Sequence, residues 1–503
     1  MNGRGAIGAE ALNGATVNVG SAATPAFNNS DQIAYHAAGI GSTINSSSAT
    51  SNVTTDRSSL YRIDDAAALN FGTPANITLS GAGSSGVIAS GPDSLFNSGS
   101  SQFNVNGNGA NALRVEGGAS ATLGSGTRVA LNGASSIGVL VNNLRTDLSN
   151  ALDGSAAPTL VTSSASVSAT GANSIGYDVA NGATLVNDGA VNMNGANNIG
   201  IRTRSGSNIT NNGVVNVANG TGLDISGSGT TLAKGGEINV ADGVAGVRIS
   251  AGSSLALSGS DTVIATNGSA HGILLDSGAA ALNASDATIN VNGGGNGIEN
   301  RVETRSVTLN NLTVNVADGS GLRTAVPFDP ASTVTTNVSG SGTGLNFTQA
   351  NGSATTNDLI LGSGYQFNVS GAGGTGIRAN TTGAVQSAAN VNITSASGGS
   401  ALVAGTASSV LNTGTLVSAS TRAPVVDLRG GTAVFENRGT ITPGSPEGVA
   451  VAGSNANDVV LLTNGDVLGD INTGGGTDAL EWTGGTLNGS LTLGNGVNNR
   501  ALL

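Results

Sequence analysis

Four charged residues recur at near-constant spacing in the middle of the chain: Asp178, Arg202, Asp224 and Arg248. Two carboxylates held about 5–9 Å apart could cleave a glycosidic bond by acid–base chemistry. Acids alternating with arginines can also do something simpler. Unlike charges on neighbouring strands pair, and the pairing fixes the order in which repeated segments stack. An arginine beside each acid lowers its pKa and spoils it as a general acid. The expected role is therefore a structural charge ladder on an exposed face, each pair contributing about 0–1 kcal/mol.

Other candidates for chemistry are weaker. Gly474-Gly475-Gly476-Thr477-Asp478-Ala479-Leu480 partly matches a calcium-binding repeat. Calcium needs about six to eight oxygens from tandem copies, and the one further copy, Gly494-Asn495-Gly496-Val497-Asn498, has Asn where Asp is required. The stretch reads as a turn. Gly91-Pro92-Asp93-Ser94-Leu95 has a proline inserted in a serine-esterase block and lacks the strand–helix context of such a nucleophile. His36 and His271 are the only histidines and stand far apart, too few for a metal site or a Ser/His pair. His271 directly precedes a repeated glycine and is expected at a turn. There is no cysteine, which excludes disulfides and thiolate metal sites. No catalytic, cofactor-binding or metal-binding residue is expected.

The ladder needs elements that bring its members into line, and the sequence supplies them. From Asn198 onward the chain reads NIGIRTRSGSNITNNGVVNVANGTGLDI. Three short runs within it alternate apolar with polar or small residues, the period of half-buried strands, and Gly, Asn and Ser separate them. The opening glycine recurs at Gly138, Gly176, Gly200, Gly222, Gly246, Gly272, Gly297, Gly321, Gly344 and Gly376, mostly 22 to 26 residues apart. A second run follows with Leu185, Ile209, Leu232, Leu255, Leu282 and Val307, and a third with Asn192, Asn216, Asn239, Asn290, Asn315 and Asn392. A fixed period with three strand signals marks a solenoid. The expected fold is all-β, a parallel β-helix with three short strands per rung of about 24 residues. Ile201, Leu223, Val247, Ile273, Ile298 and Leu322 should form one inward column, and the third-run asparagines a hydrogen-bonded ladder.

Composition agrees with this plan. Charged residues are 10% of the chain, aromatics 3%, and glycines number 80, so the core must be built from Val, Ile, Leu and Ala. A solenoid can grow past the size at which single cores stop, because each rung touches only its neighbours. The net charge of −12, with Lys234 the single lysine and no basic run, argues against nucleic acid as a partner. Met1-Asn2-Gly3-Arg4-Gly5 does not read as a signal peptide, and no apolar run is long enough for a transmembrane helix. Residues 1–80 read as an irregular N-terminal cap and first rungs, residues 81–450 as the β-helix, and residues 451–503 as shorter rungs. Residues 50–71 are denser in charge and read as a cap, a loop or a short helix. Three segments break the pattern and should project as loops: 142–158, 325–331 and 348–358. Phe328, between two prolines in the second, is the nominated partner contact.

Leu185-Val186-Asn187-Asp188-Gly189, Leu411-Asn412-Thr413-Gly414-Thr415-Leu416 and Phe435-Glu436-Asn437-Arg438-Gly439-Thr440-Ile441 share an apolar–Asn–x–Gly phrase. The chain resembles in this the passenger domains of type V autotransporters of Gram-negative bacteria, the pertactin-like β-helices. Thr483-Gly484-Gly485-Thr486-Leu487-Asn488-Gly489 is similar to rungs near the C-terminal end of such passengers. The resemblance covers most of residues 80–503, and the chain departs from it in showing neither a signal peptide nor a translocator barrel. It implies a right-handed helix and a location at the bacterial cell surface or outer membrane, or secretion. It also implies a non-enzymatic role as adhesin or self-association module. The partner would be a host surface or matrix, or the same protein on neighbouring cells, with an outer-membrane barrel encoded outside this sequence. The alternative is a β-helix carbohydrate-active enzyme of polysaccharide lyase or glycosidase type, which would need unpaired carboxylates and aromatic platforms.

Overall fold

Alternating residues make strands, and the computed structural model shows how the strands stack. It describes residues 1–503 except 49, 146–157, 229–230, 233–235, 259–262, 280, 303–305 and 433. In one rung the strands are Asn198–Arg204, Asn208–Asn211 and Val214–Val217. Ile201, Ile209, Val215 and Val217 turn inward and are at most 2% exposed. Each strand pairs in parallel with its counterpart one rung on: Ile201 with Leu223, Ile209 with Leu232, Val215 with Ile238. Repetition of this unit gives an all-β solenoid of about 19 turns with rungs of about 25 residues. No helix occurs among the described residues.

The chain divides into two units, Met1–Ala256 and Leu257–Leu503. In the first, rungs begin at Ile7–Leu12, which pairs with Ile33–Ala38. Residues 50–71, expected as a cap, loop or helix, contribute three strands, Thr50–Val53, Ser59–Asp64 and Ala68–Phe71. Their charges misled because Asp56, Arg57 and Asp65 lie in the turns between these strands and Arg62 and Asp64 point outward from the second, while Val53, Tyr61, Ile63 and Leu69 are buried. In the second unit the rungs contract towards the C-terminus. Val459 pairs with Ala479 and Asp466 with Thr486, each 20 residues on. The inward column holds in both units: Ile201, Leu223 and Val247 in the first, Ile273, Ile298 and Leu322 in the second, all 0% exposed.

The opening glycine is set by close approach of backbone to backbone. A Cβ on Gly200 would lie 2.6 Å from the Gly222 carbonyl oxygen and 2.3 Å from Val215 Cγ1. On Gly222 it would lie 2.5 Å from the Gly246 oxygen and 2.4 Å from Ile238 Cγ2, and on Gly297 2.5 Å from the Gly321 oxygen and 2.2 Å from Val314 Cγ1. The missing side chain leaves a slot that the third strand's inward residue fills from across the core. His271, expected at a turn, instead begins the strand His271–Leu275.

Segment 325–331 does not project. It takes the place of the second strand in its rung, with the Asp329 amide donating to Val307 O at 3.1 Å and the Thr333 amide to Leu309 O at 2.7 Å. The Tyr365 hydroxyl donates to Asp329 O at 2.7 Å from the other side. Phe328 is 1% exposed, so the nominated contact residue is a core residue. The prolines suppress strand alternation without moving the chain off the solenoid, and the ring fills the space a strand side chain would occupy. Segment 348–358 does project in part: residues 350–353 are exposed. Of 142–158, residues 146–157 lie outside the described residues.

Gly200→Ala is expected to destabilise by about 1–3 kcal/mol through overpacking. Adding Val215→Ala should recover part of that, so that the double mutant costs less than the sum of the singles. Urea denaturation of the four variants measures the coupling; strict additivity would show that the slot is not filled as described.

Candidate functional site: the charged face of the opening sheet

Outward residues of the opening strands fall into columns because every rung is in register. Asp178 pairs with Arg202, Arg202 with Asp224, and Asp224 with Arg248. The four expected ladder residues are thus brought together in order. The ladder differs from expectation in burial. Asp178 is 1% exposed, covered by two guanidinium forks. Arg202 binds it through Nε at 3.0 Å and Nη2 at 2.7 Å, and Arg204, two residues further along the same strand, at 3.2 and 2.8 Å. The exposed face is made by the arginines, whose long side chains lie over the short acid one rung away. Asp224 and Arg248 are looser, 3.9 Å apart. Asp178 therefore belongs with buried pairs, where loss of a partner costs about 3–5 kcal/mol.

Residues two apart on a strand share a face, and this adds members that column spacing alone did not reveal. Arg62 binds Asp64 at 2.6 Å, Arg114 binds Glu116 at 2.9 Å, Arg301 binds Glu299 at 3.0 Å and Arg429 binds Asp427 at 2.6 Å. Each is an acid and an arginine with one residue between them, a pattern visible in the sequence. Arg145 could not have been found that way. It reaches back to Asp65 at 2.7 Å and Asp64 at 3.3 Å, across a lane opened by Gly117, where a Cβ would lie 2.4 Å from Arg145 Cγ.

Both histidines sit in these clusters, with opposite electrostatics. His36 donates from Nδ1 to Glu10 at 2.7 Å and from Nε2 to Asp64 at 2.9 Å. The Asp64 hydrogen bond raises its pKa, against burial and with help from Glu10. Burial alone would raise Asp64, but hydrogen bonds from His36 and Arg62 outweigh it and hold the carboxyl below its ordinary value. His271 accepts at Nδ1 from the Asn296 amide at 3.0 Å, leaving Nε2–H to face Glu299 Oε2 at 3.0 Å. Burial lowers its pKa; the Glu299 charge opposes this, and Arg301 and Arg323 reinforce it. Glu299, 2% exposed, is likewise held low despite burial, by Arg301, His271 and Asn296.

The asparagine column forms amide ladders. Asn239 donates to Asn216 and Asn216 to Asn192, at 2.9 and 2.8 Å. In the second unit Asn368, Asn337, Asn315 and Asn290 connect at 2.9, 2.8 and 2.7 Å. Asn392 is in register with Asn368. The apolar–Asn–x–Gly phrases make a separate, buried ladder: Asn187 donates to Asn211 at 2.7 Å and Asn412 to Asn437 at 2.8 Å, each also bonding the backbone of the glycine two residues on.

Asp478 is 1% exposed and accepts from Thr473 Oγ1 at 2.6 Å, the Gly494 amide at 3.0 Å and the Asp458 amide at 2.9 Å, which closes turns between shortened rungs. Ser94 is fully buried and donates to Ser90 O at 2.9 Å. Among the described residues no group of three or more His, Cys, Asp or Glu side chains is placed to hold a metal ion. In comparisons with protein-family models, curated proteins and solved structures, none matches this chain.

Asp178→Ala should cost about 3 kcal/mol or more, because two arginines lose their shared carboxylate, whereas Arg429→Ala, at a side chain 62% exposed, should cost about 0–1 kcal/mol. Denaturant midpoints measure both, and equal costs would contradict the burial difference. The histidines separate by pH. His36 has a folded pKa above its unfolded value of about 6.5, so its stabilisation is full below that pH and fades as pH rises through the folded value. His271 has a lowered folded pKa, so stability falls as pH drops below about 6.5 towards that value. Melting curves of His36→Gln should lose the alkaline decline, and those of His271→Gln the acidic one.

Proposed function

We propose that the chain is a non-enzymatic adhesive or self-associating module, a passenger of Gram-negative autotransporter type acting at the bacterial cell surface or after secretion. The observation that supports this most is the state of the carboxylates on the charged face. Asp64, Glu116, Asp178, Glu299 and Asp427 each have an arginine within 2.6 to 3.0 Å. Such acids are fixed by charge-assisted hydrogen bonds, and Asp64, Glu299 and Asp427 are held below their ordinary values despite burial. A glycosidase needs one that holds a proton near neutral pH beside one that does not. Burial and the neighbouring Asp478 push the Asp458 carboxyl up against hydrogen bonds from Ser454, but both acids are buried and taken up by hydroxyl and amide donors, which keeps this pair away from a bound sugar. Repeated polar ladders favour broad contact by many weak interactions, where linkage multiplies modest affinities.

The loop at residues 350–353 is the place where a specific contact could be added to the regular surface. The test displays the chain on cells and scores cell aggregation and binding to host matrix, with residues 350–353 intact or replaced by a short glycine linker. The intact chain should aggregate cells or bind matrix, and the loop variant should do so less. If the intact chain does neither while the purified protein cleaves a polysaccharide, the enzyme alternative takes its place.

A further inference from the structure

The outer face of the second unit carries a groove of about 360 Å³ whose lining includes Arg323, Asn346, Thr348, Arg378, Asn380 and Thr406. That is within the range of small-ligand sites, about 300–1,000 Å³. It is a built feature. Its near wall is the projecting loop, held by Arg323, which donates from Nη2 to Ala350 O at 2.8 Å, and by Asn380, which donates to Gly352 O at 3.0 Å. Arg323, Asn346 and Arg378 are register partners on three successive rungs, so the two arginines stand two rungs apart, about 10 Å.

One arginine of this groove, Arg378, differs from the others on the charged face. Arg378 is exposed and makes no hydrogen bond or ion pair among the described residues. The acid nearest it in charge, Asp427, is already held by both Nε and Nη2 of Arg429, at 2.9 and 2.6 Å. The Nε of Arg323 is buried without a hydrogen-bond partner. Its Nη1 donates to Glu299 at 3.4 Å and its Nη2 to Ala350 O, so a chain of net charge −12 keeps the guanidinium of Arg378 uncommitted in this groove, beside amide and hydroxyl groups that can both donate and accept.

We propose that this groove binds an acidic saccharide, with a carboxylate or sulfate group on Arg378 and hydroxyls on Asn346, Asn380 and Thr406. Guanidinium forks match such anions bidentately. No aromatic residue lines the groove, which disfavours recognition of neutral sugars by stacking. The groove lies on a sheet face and offers no sheet edge or deep apolar pocket, the features that extended peptides use.

The proposal gives the adhesive reading a ligand and rests on it, and the experiment separates the two. Purified full-length chain is titrated calorimetrically at low salt with oligogalacturonate, a sulfated dextran oligomer, neutral dextran, polyglutamate and a single-stranded oligonucleotide. One or both acidic saccharides should bind, which distinguishes carboxylate from sulfate as the recognised group, and the other three should not. Arg378→Gln, an exposed change expected to leave melting unaltered, should weaken binding roughly tenfold or more, and Arg378→Lys should restore part of it. No binding to either acidic saccharide overturns the proposal, as does binding unchanged in Arg378→Gln or equalled by polyglutamate or the oligonucleotide. Saccharide binding by a chain that mediates no cell adhesion overturns the adhesive reading and leaves the groove standing. Adhesion by an intact chain that binds neither acidic saccharide overturns the groove alone.

Discussion

Everything in this structure depends on how closely one rung can lie on the next. Parallel strands in a stack sit about 4.8 Å apart. At the opening strand the backbones come so near that a Cβ on Gly176 would fall 2.5 Å from the Gly200 carbonyl oxygen. Glycine removes that obstacle and opens a slot for the third strand's inward residue, Val191 at 2.8 Å in this rung. Filling the slot ties the opening and third strands together across the core. Register is thereby fixed, since a slip of one residue would bring a side chain to the slot and an outward charge into the core.

Fixed register turns spacing along the sequence into contact in space. An acid and an arginine 24 residues apart, Asp178 and Arg202, become hydrogen-bonded neighbours, and the asparagines of the third strands become ladders by the same rule. The stacking also buries what single strands would leave exposed. Asp178 is closed off because both neighbouring arginines are long enough to fold over it, and its burial raises both its importance and the cost of losing a partner. Arg378 departs from this rule: its neighbours in the column are Asn346 and Val403, and no acid on an adjacent rung takes it up.

Much of this was legible in the chain. The buried column of Ile201, Leu223 and Val247 followed from strand alternation, and the asparagine ladder from a residue type repeated at one phase. What could not be read was whatever breaks the period locally. Phe328 lies between prolines, which hide the strand pattern, yet the solenoid holds the segment in place from both sides and buries the ring. Arg204 was missed because its partner is diagonal, one rung back and two residues along. The strands in residues 50–71 were obscured by outward charges that periodicity alone could not assign to a face. The groove was invisible for a related reason: it depends on Arg378 having Asn346 and Val403 beside it and no acid, a property of the assembled stack.

The contact between Arg145 and Asp65 has a further consequence. Most bonds in this protein join residues about one rung apart, so each turn can form on the one before it and the loop closed at each step stays short however many turns are added. Arg145 bonds to a residue 80 positions earlier, bridging the rungs that carry Gly91 and Gly117. That bond can close only once the intervening turns are already in place. It then acts as a clasp over a finished stretch: the rungs beneath it cannot separate one at a time from that face without first releasing the arginine.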